Sequence, residues 1–391
     1  MNVRRLNPAA DAGAVARLLA VSFGSGRVDR GQVRALRRTK SSECENRRVV
    51  EDGGKVVACL DIVPKRIYIG RAILTMAGLA GVCTDPSARM KGYGRALMDD
   101  TVELVRRKKY DLCVLYGIPD FYHRFCFEVV MARHFVTLAQ SDIPIVHRPF
   151  HRGEIRPRDM NAIRALYAAQ ARFRDGNCLR RRMSVPGNGF KITDSRGRVT
   201  AYALWWRTEN SMLVRETVAR DANAAADLLQ ALRHVAWREG LDHLNVQMPF
   251  GYPLTDKMAS LNSTYHRVNS FHKGCMGQVT NLPSLVSKMT AEWASLLERS
   301  EFANRRRAVN VGIGDDVLSL GCAGGRVRAS LENVKPDARV TPGQFVQMVF
   351  GYRSIRSLAG EPGVRIPAAD RRYLEVLFPE RNSFLFAPDQ F

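Results

Sequence analysis

The stretch Arg89-Met90-Lys91-Gly92-Tyr93-Gly94-Arg95 constrains this chain more than any other, because of what flanks it. Residues 74–84 before it are apolar and read as a strand. After it Ala96, Leu97, Val102 and Val105 recur at helical spacing. A loop of small residues that opens a helix directly after a strand presents free backbone N–H groups at the positive end of a helix dipole, which is an anion site. Gly92 and Gly94 let a phosphate approach the backbone with no Cβ in the way. Arg89, Lys91 and Arg95 add positive charge at the same place. The loop suits a pyrophosphate.

Three kinds of phosphate loop compete for this reading. A Walker loop ends in Gly-Lys-Ser/Thr, whereas this one ends Gly94-Arg95-Ala96. A dinucleotide loop needs a third spaced glycine, which is absent. Arg-x-x-Gly-x-Gly after a strand resembles motif A of the GNAT acyltransferases, where it cradles the pyrophosphate of acyl-coenzyme A. Residues 2–6 and 11–23 are similar to that family's first strand and helix. Residues 49–57, with Gly53-Gly54 at the turn, read as a hairpin. A second apolar strand, 111–116, precedes Asp120-Phe121-Tyr122-His123-Arg124-Phe125-Cys126-Phe127-Glu128. That segment resembles the GNAT signature Tyr-x-x-x-Gly-Phe-Glu, with Cys126 where the family has Gly. The resemblance covers residues 1–150.

Residues 151–282 repeat the order. Helical patterns cover 158–173 and 221–239, and strand patterns cover 189–194, 199–206, 212–218 and 243–248. At the loop position Val218-Ala219-Arg220-Asp221-Ala222-Asn223-Ala224 has no glycine pair, and Asp221 would cap the helix with a negative charge. This reads as a degenerate GNAT-like domain that does not bind coenzyme A. Residues 283–391 change character. A helix spans 285–297, strands span 308–314, 317–322 and 327–331, and Thr341-Pro342 starts another helix. The block resembles a sterol-carrier-like domain. The expected fold is therefore α/β (α+β), two tandem GNAT-like domains followed by a sterol-carrier-protein-like domain, and the order resembles the enhanced intracellular survival (Eis) family of N-acetyltransferases.

That resemblance implies direct transfer of an acyl group, acetyl by default, from acetyl-CoA to a primary amine in a ternary complex. Tyr122 matches the general acid, and its phenol holds a proton at neutral pH. The carboxylate of Phe391 matches the family's base, or a group that orients the amine. Val82, Cys83 and Thr84 match the strand edge that bonds the pantetheine arm through backbone groups. Arg89, Met90, Lys91, Gly92, Tyr93, Gly94 and Arg95 match the phosphate cradle, and Gly117 joins the cofactor set. Nothing near Cys83 in sequence would activate it as a nucleophile, so it reads as core. His123 reads as a surface residue. By the same resemblance the chain is a homo-oligomer, hexameric in the family.

The bulk numbers bound the rest. A chain of 391 residues holds two to three domains. Eight cysteines lack metal-ligand spacing and read as reduced thiols in a cytoplasmic protein, with no metal. No apolar run reaches the length of a membrane span, and residues 1–7 lack a signal-peptide apolar region. Of 60 basic and 38 acidic residues, 15 and 12 fall after residue 282, so that part carries +3 and the rest +19. Such a face suits a polyanion, yet no interleaved aromatics mark a base-stacking surface. Two other functions fit these features: a non-catalytic acyl-CoA or lipid-binding protein, and a basic nucleic-acid-associated protein. The amine could be aminoglycoside-like, a lysine side chain or a peptide amine.

Overall fold

The computed structural model describes residues 1–391 except 25, 119, 147–149, 184, 186 and 271–273. Three sheets organise it. In spatial order the first contains Asn2–Arg5, Arg47–Asp52, Lys55–Ile69, Ala72–Thr84, Leu112–Gly117, Gly274–Val279 and Glu128–Met131. The second contains His151–Glu154, Asn188–Thr193, Val199–Arg207, Ser211–Ala219, His243–Val246, Arg133–Ala139 and Ser263–Val268. The two orders correspond strand by strand, which is the tandem arrangement the sequence implies. Each sheet takes one strand from the other half of the chain. Arg133–Ala139 crosses into the second, and Gly274–Val279 returns to the first. Sheet membership therefore runs across the sequence boundaries drawn at 150 and 282. Strand patterning shows which face of a strand is buried, not which neighbour it will pair with.

The third sheet has four strands, Arg326–Leu331, Asp316–Ala323, Arg307–Ile313 and Ala338–Val340. Helices Leu282–Glu298 and Pro342–Phe350 lie between it and the first sheet. Trp293, Phe345 and Phe350 share a core there with Ile67, Leu74, Met76 and Val114 of the first sheet. Each such fully buried large side chain contributes about 1.5–3 kcal/mol by leaving water. Thr341 caps its helix through a reciprocal bond pair with Gln344, as its Thr-Pro start suggests. Helix Tyr93–Arg107 covers the other face of the first sheet, packing Leu97, Met98 and Val105 against Ala77, Leu79 and Leu115. Among the described residues no helix is long and apolar enough to cross a membrane.

Candidate active site

Strands Ala72–Thr84 and Leu112–Gly117 run parallel and pair only from Met76↔Leu112 to Leu79↔Leu115. Beyond that point they part. Residues 80–84 stay with Lys55–Ile69, where Cys83 faces Cys59 and Thr84 faces Ala58, and a bulge shifts the register. Gly81 within the bulge has φ +59°, a conformation that favours glycine. Tyr116 and Gly117 pair instead with Cys275 and Gly274 on the far side. Among the described residues, the backbone of Val82, Cys83 and Thr84 thus has no strand partner on the side of the opening.

The basic loop follows directly. Its helix is capped by Gly92 at φ 84°, with no side-chain hydrogen bond to the first N–H groups. A Cβ on Gly92 would meet nothing within 4 Å, so the backbone faces open space. Gly94 is closer packed, with the Phe121 ring at 3.4 Å and Thr84 Oγ1 at 3.7 Å from a hypothetical Cβ. Buried Tyr93 donates to Asp52 Oδ2 at 2.6 Å, which pins the loop to the sheet. Arg89, Met90, Lys91 and Arg95 are exposed around it. These features fit an anionic phosphate ligand: unused backbone donors, room for close approach and flexible cations.

The second sheet parts in the same way after Val214↔Val246. There the start of helix Ala222–Arg238 is capped by a side chain, the Asp221 carboxylate accepting from Ala224 N at 2.9 Å. The Asp221 carboxylate thus occupies the place that the open backbone after Gly92 leaves free in the first sheet.

Tyr122 lies at the start of a short 3-10 turn, Tyr122–Phe125, and is 7% exposed. It packs on Gly117, where an added Cβ would fall 2.5 Å from the Tyr122 ring. Glycine at the strand end is therefore what lets this tyrosine lie against it. Burial, followed by the nearby Cys83, pushes the Tyr122 phenol up to about 12. Cys126, at the family's glycine position, adopts φ 60°, which strains a residue with a Cβ. Cys83 is buried with its Sγ 3.5 Å from Cys59 Sγ, as a core residue. His123 is partly buried, with Nε2 3.8 Å from Glu128 Oε2.

Phe391 reaches the opposite face of the same strands. Its ring lies against Gly78, 2.6 Å from where a Cβ would stand, and 5.8 Å from the Tyr116 ring. Tyr116 and Gly117 are neighbours at one strand end. Tyr122 and Phe391 therefore converge on that end from two faces of the sheet. Between the two sheets a cavity of about 380 Å³ opens beside Phe391, lined also by Tyr116, His134, Arg215, Gln247 and Gln390. Sequence reasoning missed Gly78, Tyr116 and Arg215. A glycine inside a strand was the one available signal, since it often marks a close approach.

The tail arrives along a chain of buried ion pairs. Arg381 contacts Asp175 at 2.9 Å and Glu292 at 2.7 Å. Phe384 and Phe386 enter the core of the second sheet. Asp389 accepts from Arg180 Nε at 2.8 Å, and the same guanidinium grips Glu216 through two bonds.

Residues 2–130 match the family model of an acetyltransferase (GNAT) domain. That part of the chain is similar to a GNAT domain. With it the expectation of an N-acyltransferase is met. Solved structures extend the likeness in fold to the whole chain. A protein from Enterococcus faecalis described as a probable N-acyltransferase superposes with TM-score 0.81 at 15% identity, covering 100% of this chain and 99% of the other. A GCN5-related N-acetyltransferase from Anabaena variabilis gives 0.77 at 16%, covering 100% of both. Eis1 from Mycobacterium abscessus gives 0.67 at 13%, again covering 100% of both. No curated protein matches the sequence.

Proposed function

We propose that the protein transfers an acyl group, acetyl by default, from an acyl-coenzyme A to a primary amine bound in the cavity beside Phe391. The observation that carries this reading is the parted strand pair with an uncapped, glycine-led helix start at its mouth. Backbone N–H groups after Gly92, with Arg89, Lys91 and Arg95, would hold the pyrophosphate. The free strand edge at Val82, Cys83 and Thr84 would align the pantetheine arm, which fixes the thioester near Gly117 and Tyr122. Positioning of this kind supplies much of the rate by removing orientational freedom.

Tyr122 meets the departing sulfur. A free thiol ionises near 8.5, well below a phenol held near 12. Full proton transfer from Tyr122 to a thiolate is therefore uphill. The phenol acts best as a hydrogen-bond donor to charge building on sulfur, in a buried setting where such a bond is strong. This refines the general-acid role: the proton that finally reaches sulfur starts on the amine. A Phe391 carboxylate would receive or steer that proton from the amine side.

The resemblance to the Eis family extends the proposal to a cytoplasmic homo-oligomer. It also gives the sterol-carrier-like tail domain the task of delivering residues 381–391 to the site. Two variants test the assignments together. Tyr122→Phe should lower kcat about 10²–10³-fold with acetyl-CoA affinity nearly unchanged. One glycine added after Phe391 should also lower kcat, because it displaces the carboxylate. Undiminished turnover in either variant rejects that residue's role.

A further inference from the structure

The cavity beside Phe391 has an unusual electrostatic lining. Arg133, His134, Arg215, Gln247 and Gln390 supply its polar side chains, and none of its described lining residues is Asp or Glu. Arg215 is held with its guanidinium carbon 5.1 Å over the Trp206 ring. Stacking orients the fork without neutralising it. Its Nε is buried and has no hydrogen-bond partner among the described residues. Other buried arginines here are neutralised twice: Arg180 by Glu216 and Asp389, Arg381 by Asp175 and Glu292. Arg215 instead brings an unspent charge to the cavity. Arg215, Gln247 and Arg133 all lie where the strands of the second sheet part, facing the end of the chain.

We propose that the amine acylated at this site carries its own anionic group, a carboxylate or a phosphate, which Arg215 binds with help from Arg133. The inference rests on the cavity being the acceptor site of the transferase described above. A planar guanidinium fork recognises either anion through two bonds. A polycationic acceptor would place several ammonium charges among arginines with only the Phe391 carboxylate to offset them. The same arginines also serve the chemistry. Positive surroundings lower the pKa of a bound ammonium, which favours the neutral amine that attacks. A carboxylate at Phe391, weak as a base, then has less work to do. His134 adds little charge at neutral pH, since burial and then Arg267 hold it down to about 4.

The test is calorimetry on the full chain saturated with coenzyme A. The titrants are glutamate against its dimethyl ester, and aminoethyl phosphate against ethanolamine and spermidine. The acids should bind at least about tenfold more tightly than their neutral partners. Arg215→Gln should erase that preference, and Arg215→Glu should turn it toward spermidine. Binding of esters or spermidine to the wild type as tightly as the acids overturns the inference, with no variant needed. Thiol release from acetyl-CoA, read in parallel, separates the two claims. Acids that bind through Arg215 but are not acylated sustain the anion site alone, and reject the transferase reading and with it the anionic amine substrate. Preferred acylation of spermidine sustains the transferase reading and rejects the anionic amine substrate.

Discussion

Tyr122 and Phe391 both owe their places to a missing Cβ. Gly117 gives the Tyr122 ring its seat, and Gly78 gives the Phe391 ring its own. Gly78→Ala should therefore expel the terminal ring. We expect kcat to fall more than tenfold while acetyl-CoA affinity holds, checked by steady-state kinetics beside a binding isotherm. Unchanged kcat would detach Phe391 from the chemistry. Tyr122 also makes a pH prediction. Its pKa rises from 10 to about 12 on folding, so its share of stability is complete below pH 10 and lost as pH climbs toward 12. Across pH 7–9 the phenol stays protonated. Any rise in kcat/KM there belongs to the amine, and Tyr122→Phe should keep the shape of that limb while lowering its height. At this scale motif residues were legible in the sequence, because signature spacing points to Tyr122 and to the Gly92 and Gly94 loop. Gly78, Tyr116 and Arg215 were not legible, because their importance arises only when the tail and the second sheet meet them.

At the scale of elements, the loop and its helix form the part most fully written in the sequence. A strand, a glycine-led turn and a helical pattern follow one another within 36 residues, 72–107, and need no distant partner to be read. The contrasting Asp221 cap is equally local. Gly92→Ala should weaken acetyl-CoA binding and cost about 1–2 kcal/mol of stability, since its φ of 84° disfavours any residue with a Cβ. Calorimetry and a denaturant melt would read the two effects separately. What the sequence concealed is the exchange of Arg133–Ala139 and Gly274–Val279 between sheets. Both strands carry ordinary buried patterns, and pairing over so many residues leaves no local signature.

On the scale of the whole molecule, the last residues of the chain are held between the sheets by buried ion pairs. Arg381 ties the tail to Asp175 and Glu292, and Arg180 ties Asp389 of the tail to Glu216. Arg180→Met would leave Glu216 an uncompensated charge and Asp389 with only Lys65 at 3.4 Å, since the Arg180 side chain is only 7% exposed and theirs 0% and 3%. Breaking such a buried group costs about 3–5 kcal/mol. Thermal melts should show that loss, and acyl transfer should fall with it as the tail loosens. A melt within 0.5 kcal/mol of wild type, by the usual span of surface changes, would remove the clamp from the account. The most direct measurement of all is acceptor-dependent thiol release from acetyl-CoA by the purified full chain, with the acylated amine quantified by mass. The account predicts one thiol released per amine acylated. Acetyl-CoA that binds yet keeps its thioester with every amine offered would contradict it.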